Sequence, residues 1–199
     1  MNTARHIAII PAKLKSRRCK DKNWKEFQHG ESLAETKYLT VMASGYYNNT
    51  ILSIDFDPSE LTFVHKPRNQ YQMAHCRGWE TIRRPWLLKD DSVEVVLHAL
   101  RHTRARDDDF YHLLQPTSPF VQKETMLGVV NAVRSNNCAV VTVNPMYKPS
   151  GGIYAGRVGN LRKYRNFYEP FVMPVILDWY ECVDIDEEYD FQIARSLLE

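Results

Sequence analysis

Apolar residues fall along this chain in two rhythms. Short, nearly continuous runs at 7–10, 50–54, 110–114 and 138–143 are rich in Ile, Leu and Val. Runs of that length read as buried strands. The 7–10 strand stops at Pro11, and the small and β-branched residues of 138–143 suit a central strand. Between the runs, apolar positions recur at helical spacing. Residues 32–44 carry Leu33, Tyr38, Leu39, Val41 and Met42, with Ser32 and Glu35 at the interval of a capping box and Gly45 placed to close the helix. Val93, Val96, Leu97 and Leu100 mark a helix over 93–102 that either Asp91 or Ser92 can cap, and Met126, Val129, Val130 and Val133 mark another over 123–135. A final helix is expected over 187–198 and a short edge strand at 81–82. Pro58 and Pro67 make 57–69 a loop, and 70–77 has the makings of a short helix closed by Gly78.

The first strand empties into a loop dense with cations: Lys13, Lys15, Arg17, Arg18, Lys20 and Lys22, opposed only by Asp21. Ser16 and Asn23 add neutral donors. Over the whole chain the charge nearly cancels, 26 basic against 24 acidic residues for a net +2, too balanced for a dedicated nucleic-acid binder. The basic loop is therefore local. Clustered cations repel unless an anion lies among them, and strand–loop–helix junctions are where α/β proteins hold phosphates. A polyphosphate site and a solvated basic loop are the two readings. No glycine occurs from residue 1 to 28, so a Walker-type cradle of bare amides is excluded and side chains must do the binding.

Asp184 and Asp186 flank Ile185. In extended chain, residues two apart point the same way. Two carboxylates facing one point suit Mg²⁺, which takes one or two of them and fills its octahedron with water and phosphate oxygens; Asp186 can also cap the terminal helix. The stretch 160–180 mixes Tyr164, Phe167, Tyr168, Phe171, Trp179 and Tyr180 with Arg162, Lys163 and Arg165. Base stacking is one use for such a mixture; core packing, a wall of the site or a subunit contact are the others, and no nucleic-acid partner is expected. Four scattered cysteines without a C-x-x-C pair point to free thiols and argue against zinc. No apolar run approaches the roughly 20 residues that span a bilayer, and the first residues lack the apolar core of a signal peptide. A cytoplasmic protein of 199 residues in a single domain, with no membrane partner, is the expectation.

Three stretches resemble the acylneuraminate (CMP-sialic acid) cytidylyltransferase family. Its first signature runs Ile-Pro-Ala-Arg-Gly-Gly-Ser-Lys-Arg-Ile-Pro-x-Lys-Asn. Here Ile10, Pro11, Ala12, Ser16, Arg18, Lys22 and Asn23 match, Lys13 and Arg17 keep the charge, and Leu14 and Lys15 replace the two glycines. Leu-Leu-Gln-Pro-Thr-Ser-Pro is reproduced without a gap from Leu113 to Pro119. The family's closing Asp-Ile-Asp, followed by Asp-Phe, is matched by Asp184–Asp186 and Asp190-Phe191. Ser53-Ile54-Asp55 is a partial match to a Ser-Thr-Asp, and Arg84-Pro85 to an Arg-Pro. One departure is large: where relatives carry a long arm that crosses to a second subunit and covers the sugar, this chain has only Asn144 to Ser150 before Gly151-Gly152-Ile153-Tyr154, so the arm is reduced around 145–151.

The resemblance implies a Rossmann-like three-layer α/β sandwich of the nucleotide-diphospho-sugar transferase type, with a mostly parallel central sheet. The implied reaction joins CMP from CTP to a 2-keto sugar acid, with Mg²⁺ and release of pyrophosphate. Lys13, Arg17 and Lys22 would meet the triphosphate; Ser16, Asn23, Arg84 and Ser92 the nucleotide; Gln115 and Tyr154 the sugar; Asp184 and Asp186 the metal. Lys13, Arg17, Lys22 and Gln115 are the expected catalytic residues. The alternatives are a nucleotidyltransferase of the same fold with another acceptor, and a non-catalytic nucleotide-binding relative. Without the arm, a monomer or an atypical homodimer is expected.

Overall fold

The computed structural model describes residues 3–57, 80–85 and 91–199. Successive side chains of β1 (His6–Ala12) point to opposite faces of a sheet, and both faces are buried. Ala8, Ile10 and Ala12 join one core cluster, Ile7 and Ile9 another. β1 does not stop at Pro11 as expected. It runs on to Ala12, still in register with a neighbour at Ile54, whereas its pairing on the other side has ended at Ile9. A residue without an N–H is tolerated where one ladder has finished.

In chain order β1 is followed by the small hairpin of β2 (Glu26–Gln28) and β3 (Glu31–Ser32), then α1 (Leu33–Ser44), β4 (Asn49–Ile54) and β5 (Thr81–Arg83). Next come α2 (Ser92–His102), β6 (Phe110–Leu114), α3 (Lys123–Asn136), β7 (Ala139–Val143), β8 (Pro149–Arg157), α4 (Val158–Tyr164), β9 (Val172–Ile176) and α5 (Glu188–Ser196). Seven strands form the main sheet in the order β5-β4-β1-β6-β8-β7-β9. All neighbours are parallel except β8, antiparallel to both β6 and β7. One face is covered by α1 and α3 through Ala34, Tyr38, Val41, Met126, Val129 and Val133. The other is covered by α2 and α4 through Val96, Leu97, Leu100, Val158 and Leu161. This is the expected three-layer sandwich.

The caps follow the sequence closely. Ser32 accepts from the Glu35 N–H, Glu35 reaches back to the Ser32 N–H, and Gly45 closes α1 in the left-handed region at φ 71°. For α2 the cap is Asp91, which accepts from the Val93 and Glu94 amides, so Ser92 is released from that duty. At the amino-terminal edge of the sheet the Asp109 carboxylate is fully buried and accepts from Arg5 N, Nε and Nη2 and from Arg106 N and Nη2.

Five elements, the β2–β3 hairpin, β8, α4 and β9, were not foreseen. β8 opens with Pro149-Ser-Gly-Gly, which hides its alternation. β9 is an edge strand whose residues are mostly exposed, so it lacks a buried face to read. Consequently β7 lies one strand in from the edge rather than at the centre. The loop over 58–69 and the helix over 70–77 fall outside the described residues. Between β7 and β8 the chain turns within five residues: Asn144 Oδ1 accepts from the Met146 and Lys148 amides, both at 3.0 Å, and Asn144 N donates to Lys148 O at 2.8 Å. No described helix is long and apolar enough to cross a membrane.

Candidate functional site

The carboxyl ends of β1, β4, β5 and β6 open onto one cleft of about 850 Å³, the place where open parallel sheets bind ligands. Its floor is the loop after β1. Glycine would let such a loop bend freely; here side chains and strand ends pin it. Asp55, just after β4, accepts from the Leu14 N–H at 2.8 Å. Asn23 Nδ2 and Trp24 Nε1 both donate to Lys13 O, at 3.2 and 2.9 Å, and the Trp24 indole packs edge-on against Phe56 at 5.3 Å. Cys19, at the position of the family's isoleucine, is fully buried with Phe27, Leu33, Ile185 and Phe191. The backbone is thereby held from below while Lys13, Lys15, Arg17 and Arg18 line the cleft.

The opposite wall is the Gln115-Pro116-Thr117 turn after β6, with Gly151 beside it. Gln115 N donates to Gly152 O at 3.1 Å, and Ile185 N donates to Thr117 O at 2.8 Å. The second signature thus carries the third. Burial pushes the Asp184 carboxyl above its ordinary range; the Thr117 hydroxyl pulls it down, and the Asp186 charge adds to the rise. Asp186 is balanced differently: Arg18 Nη2 at 2.9 Å and Lys22 Nζ at 3.2 Å both meet its Oδ1, and Lys22 also donates to Ile185 O at 2.6 Å. Neither cation meets Oδ2.

No cluster of three or more His, Cys, Asp or Glu is placed to hold a metal among the described residues. Two carboxylates suffice, however, for a hard cation that takes its remaining ligands from water and phosphate. Asp184 opens to the cleft and Asp186 keeps one oxygen clear of the cations, so the pair fits a divalent ion.

Lys13, Ser16, Arg17, Lys22, Asn23, Arg84, Ser92, Gln115, Asp184 and Asp186 all line this cleft. Two do more than face it. Arg84 is only 2% exposed and its Nη1 donates to the carbonyl and hydroxyl of Ser53, holding the end of β4. Asn23 Oδ1 is buried without a partner among the described residues. Tyr154 is the exception to the expected set. Its ring packs on Phe167 at 5.1 Å and Tyr168 at 6.1 Å, outside the cleft lining, because β8 pairs it with Leu113 rather than with the turn beyond. Asp55, Phe56, Thr117 and Gly151 line the cleft without having been singled out as site residues. Asp55 and Thr117 were visible only as members of motifs. The aromatic run over 160–180 is neither core nor cleft wall: of its rings only Phe167 is buried, and Phe171 and Trp179 are 80% and 64% exposed.

No protein-family model matches the chain. The CMP-N,N'-diacetyllegionaminic acid synthase of Legionella pneumophila is 24% identical over 239 residues, covering 98% of this chain and 97% of that protein. Because 239 exceeds the chain's 199 residues by 40, the relative carries at least that many positions without a counterpart here. The N-acylneuraminate cytidylyltransferase of Escherichia coli is 25% identical over 231 residues, covering 96% of this chain and 51% of that protein, so the chain spans about half its length. Among solved structures, a CMP:2-keto-3-deoxy-manno-octonic acid synthetase complexed with CTP superposes with a TM-score of 0.72 at 13% identity, covering 98% of both chains. The resemblance read in the sequence thus extends over nearly the whole chain.

Proposed function

We infer that this chain, similar from end to end to cytidylyltransferases of nonulosonic acids, is itself a nucleotidyltransferase that joins CMP from CTP to a 2-keto sugar acid and releases pyrophosphate. One observation carries the reading. Three stretches far apart in the sequence, the cationic loop, the Gln115 turn and the Asp184–Asp186 segment, converge on a single cleft and are hydrogen-bonded to one another.

The chemistry needs little more than placement and charge. An acceptor hydroxyl oxygen bonds to the α-phosphorus as the bond to the β-phosphate oxygen breaks. Charge develops on the departing pyrophosphate, where preset cations are worth most. Lys13, Arg17 and Lys22 are the cations for that role, and Lys22 is oriented by its bond to Ile185 O. Asn23 and Ser92 face the nucleoside, and Arg84 steadies the strand end beneath it. Gln115 offers the acceptor both a donor and an acceptor group. Asp184 and Asp186 would hold Mg²⁺, which supplies neutralisation of the phosphate oxygens. The short turn between β7 and β8 leaves the acceptor side without the family's arm, so acceptor choice falls to the cleft wall itself.

Pyrophosphate release from each of the four ribonucleoside triphosphates across a panel of keto-sugar acids tests the reading. Release with CTP and at least one nine-carbon keto acid is expected. Release independent of the nucleobase, or none with any keto acid while CTP still binds, would overturn it in favour of another acceptor or a non-catalytic role.

A further inference from the structure

The Gln115 turn is gripped from behind by a residue that reaches neither the cleft nor solvent. Lys37 lies on the inward face of α1, 2% exposed, and its Nζ donates to Ser118 O at 2.7 Å. Its α1 neighbours on that face, Leu33, Ala34 and Val41, are apolar, which shows how the position would be filled for packing alone. A buried ammonium is a costly substitute, and an apolar side chain of similar volume is often neutral or better for stability.

The surroundings account for what the amine can do. Glu181, 5% exposed, favours the charge on Lys37, although burial outweighs it and brings the lysine down to about 7. Glu181 in turn accepts from Gln122 N at 2.8 Å and Thr125 Oγ1 at 2.7 Å, at the start of α3. The lysine and the glutamate therefore clamp the two ends of residues 118–122. On the cleft side of Ser118, Thr117 O receives the Ile185 amide at 2.8 Å, and the Thr117 side chain favours the charged form of Asp184. One peptide unit separates the Lys37 contact from the segment bearing both carboxylates.

We propose that Lys37 is a positioning residue: by fixing the Ser118 carbonyl it sets the Gln115–Thr117 turn and, through Thr117, the Asp184–Asp186 segment against the cleft. The structural half of this stands on hydrogen bonds alone; its consequence for turnover rests on the nucleotidyl-transfer reading above.

Lys37→Met keeps the length and removes the donor. In the substrate-free protein, amide hydrogen exchange at Ile185 is expected to rise about tenfold, since its acceptor is no longer held, with the β1–β4 amides unchanged. Misplacement of a reacting group by about 1 Å can cost on the order of a hundredfold, so kcat should fall about ten- to a hundredfold. The KM for CTP should move by less than about threefold, while the melting temperature should fall, because the Ser118 carbonyl loses its donor and the Glu181 carboxylate a nearby amine. Should the single variant fail to fold, Lys37→Met with Glu181→Gln removes the stranded carboxylate and carries the same two readouts. Unchanged exchange at Ile185, or unchanged kcat, overturns the proposal. A wild-type protein that releases no pyrophosphate with any keto acid refutes the functional reading instead, and the exchange measurement alone then decides on Lys37.

Discussion

Gly151 offers a way to separate backbone cost from chemistry at the site. It sits at φ 80°, and a Cβ built there would lie 3.4 Å from Asp184 Oδ2 and 3.8 Å from its Cγ. Those are ordinary contact distances, so Gly151→Ala meets no steric wall. Its cost to folding is the left-handed backbone, about 1–2 kcal/mol. At about 2–4 °C per kcal/mol for a chain of this size, the melting temperature should drop roughly 2–8 °C. Gly45 provides the control, because it is also left-handed, at φ 71°, yet nothing lies within 4 Å of its Cβ. Gly45→Ala should lose a comparable melting interval and keep its turnover. Gly151→Ala should lose turnover as well, about tenfold or more, because its methyl would crowd the Asp184 oxygen proposed to hold the divalent ion. Differential scanning fluorimetry and pyrophosphate release at 20 °C on the two variants side by side make the assay. Equal turnover in both would show that Asp184 Oδ2 takes no part in the reaction.

Asp184→Asn should lower kcat by about 10²–10³-fold, the usual scale for losing one preorganised electrostatic group, while the thermal shift produced by CTP alone persists; full turnover would make the pair structural. Burial pushes the Asp109 carboxyl up, but the Arg5 and Arg106 hydrogen bonds outweigh it and hold the group well below the carboxylate range. A lowered folded value means stability gained above about pH 4 and lost as pH falls, so Asp109→Asn should melt well below wild type at neutral pH. That gap should close on acidification, and one as wide near pH 2 as at pH 7 would contradict the linkage. Light scattering is expected to show a monomer, or a homodimer that Phe171→Ser with Trp179→Ser dissociates; a dimer indifferent to both would place the contact elsewhere.

The parts of this molecule that could be read from the chain are those whose pattern reports burial. β1, β4 and β6, buried on both faces, appear as nearly continuous apolar runs, and α1 announces both ends through Ser32, Glu35 and Gly45. What stayed hidden lacks such a contrast. β9 exposes most of its residues at the sheet edge and includes Pro174, and β8 carries Gly151 and Gly152 near its start, where a Cβ on Gly152 would lie 3.1 Å from the Val121 side chain and 3.2 Å from the Thr142 hydroxyl. The site shows the same divide. Cleft-lining cations and carboxylates were legible as charge out of place, whereas a helix lysine such as Lys37 is not, because no local pattern tells which long side chain turns inward. Tyr154 lies outside the cleft lining for a related reason: its neighbours in sequence suit the sugar side, but antiparallel pairing with β6 directs its ring towards Phe167.

The arrangement at Asp186 bears on how a triphosphate enters. Arg18 and Lys22 share a single carboxylate oxygen, so two of the loop's cations already have a counter-ion before any ligand arrives. On the nucleotidyl-transfer reading, a phosphate reaching these two cations would displace a resident anion, and the freed carboxylate would become available to a divalent ion travelling with the nucleotide. At Arg18 and Lys22 binding would then be an exchange of ionic partners. Such an exchange should be less sensitive to ionic strength than the number of basic residues suggests, because screening weakens the contact broken along with the contact made.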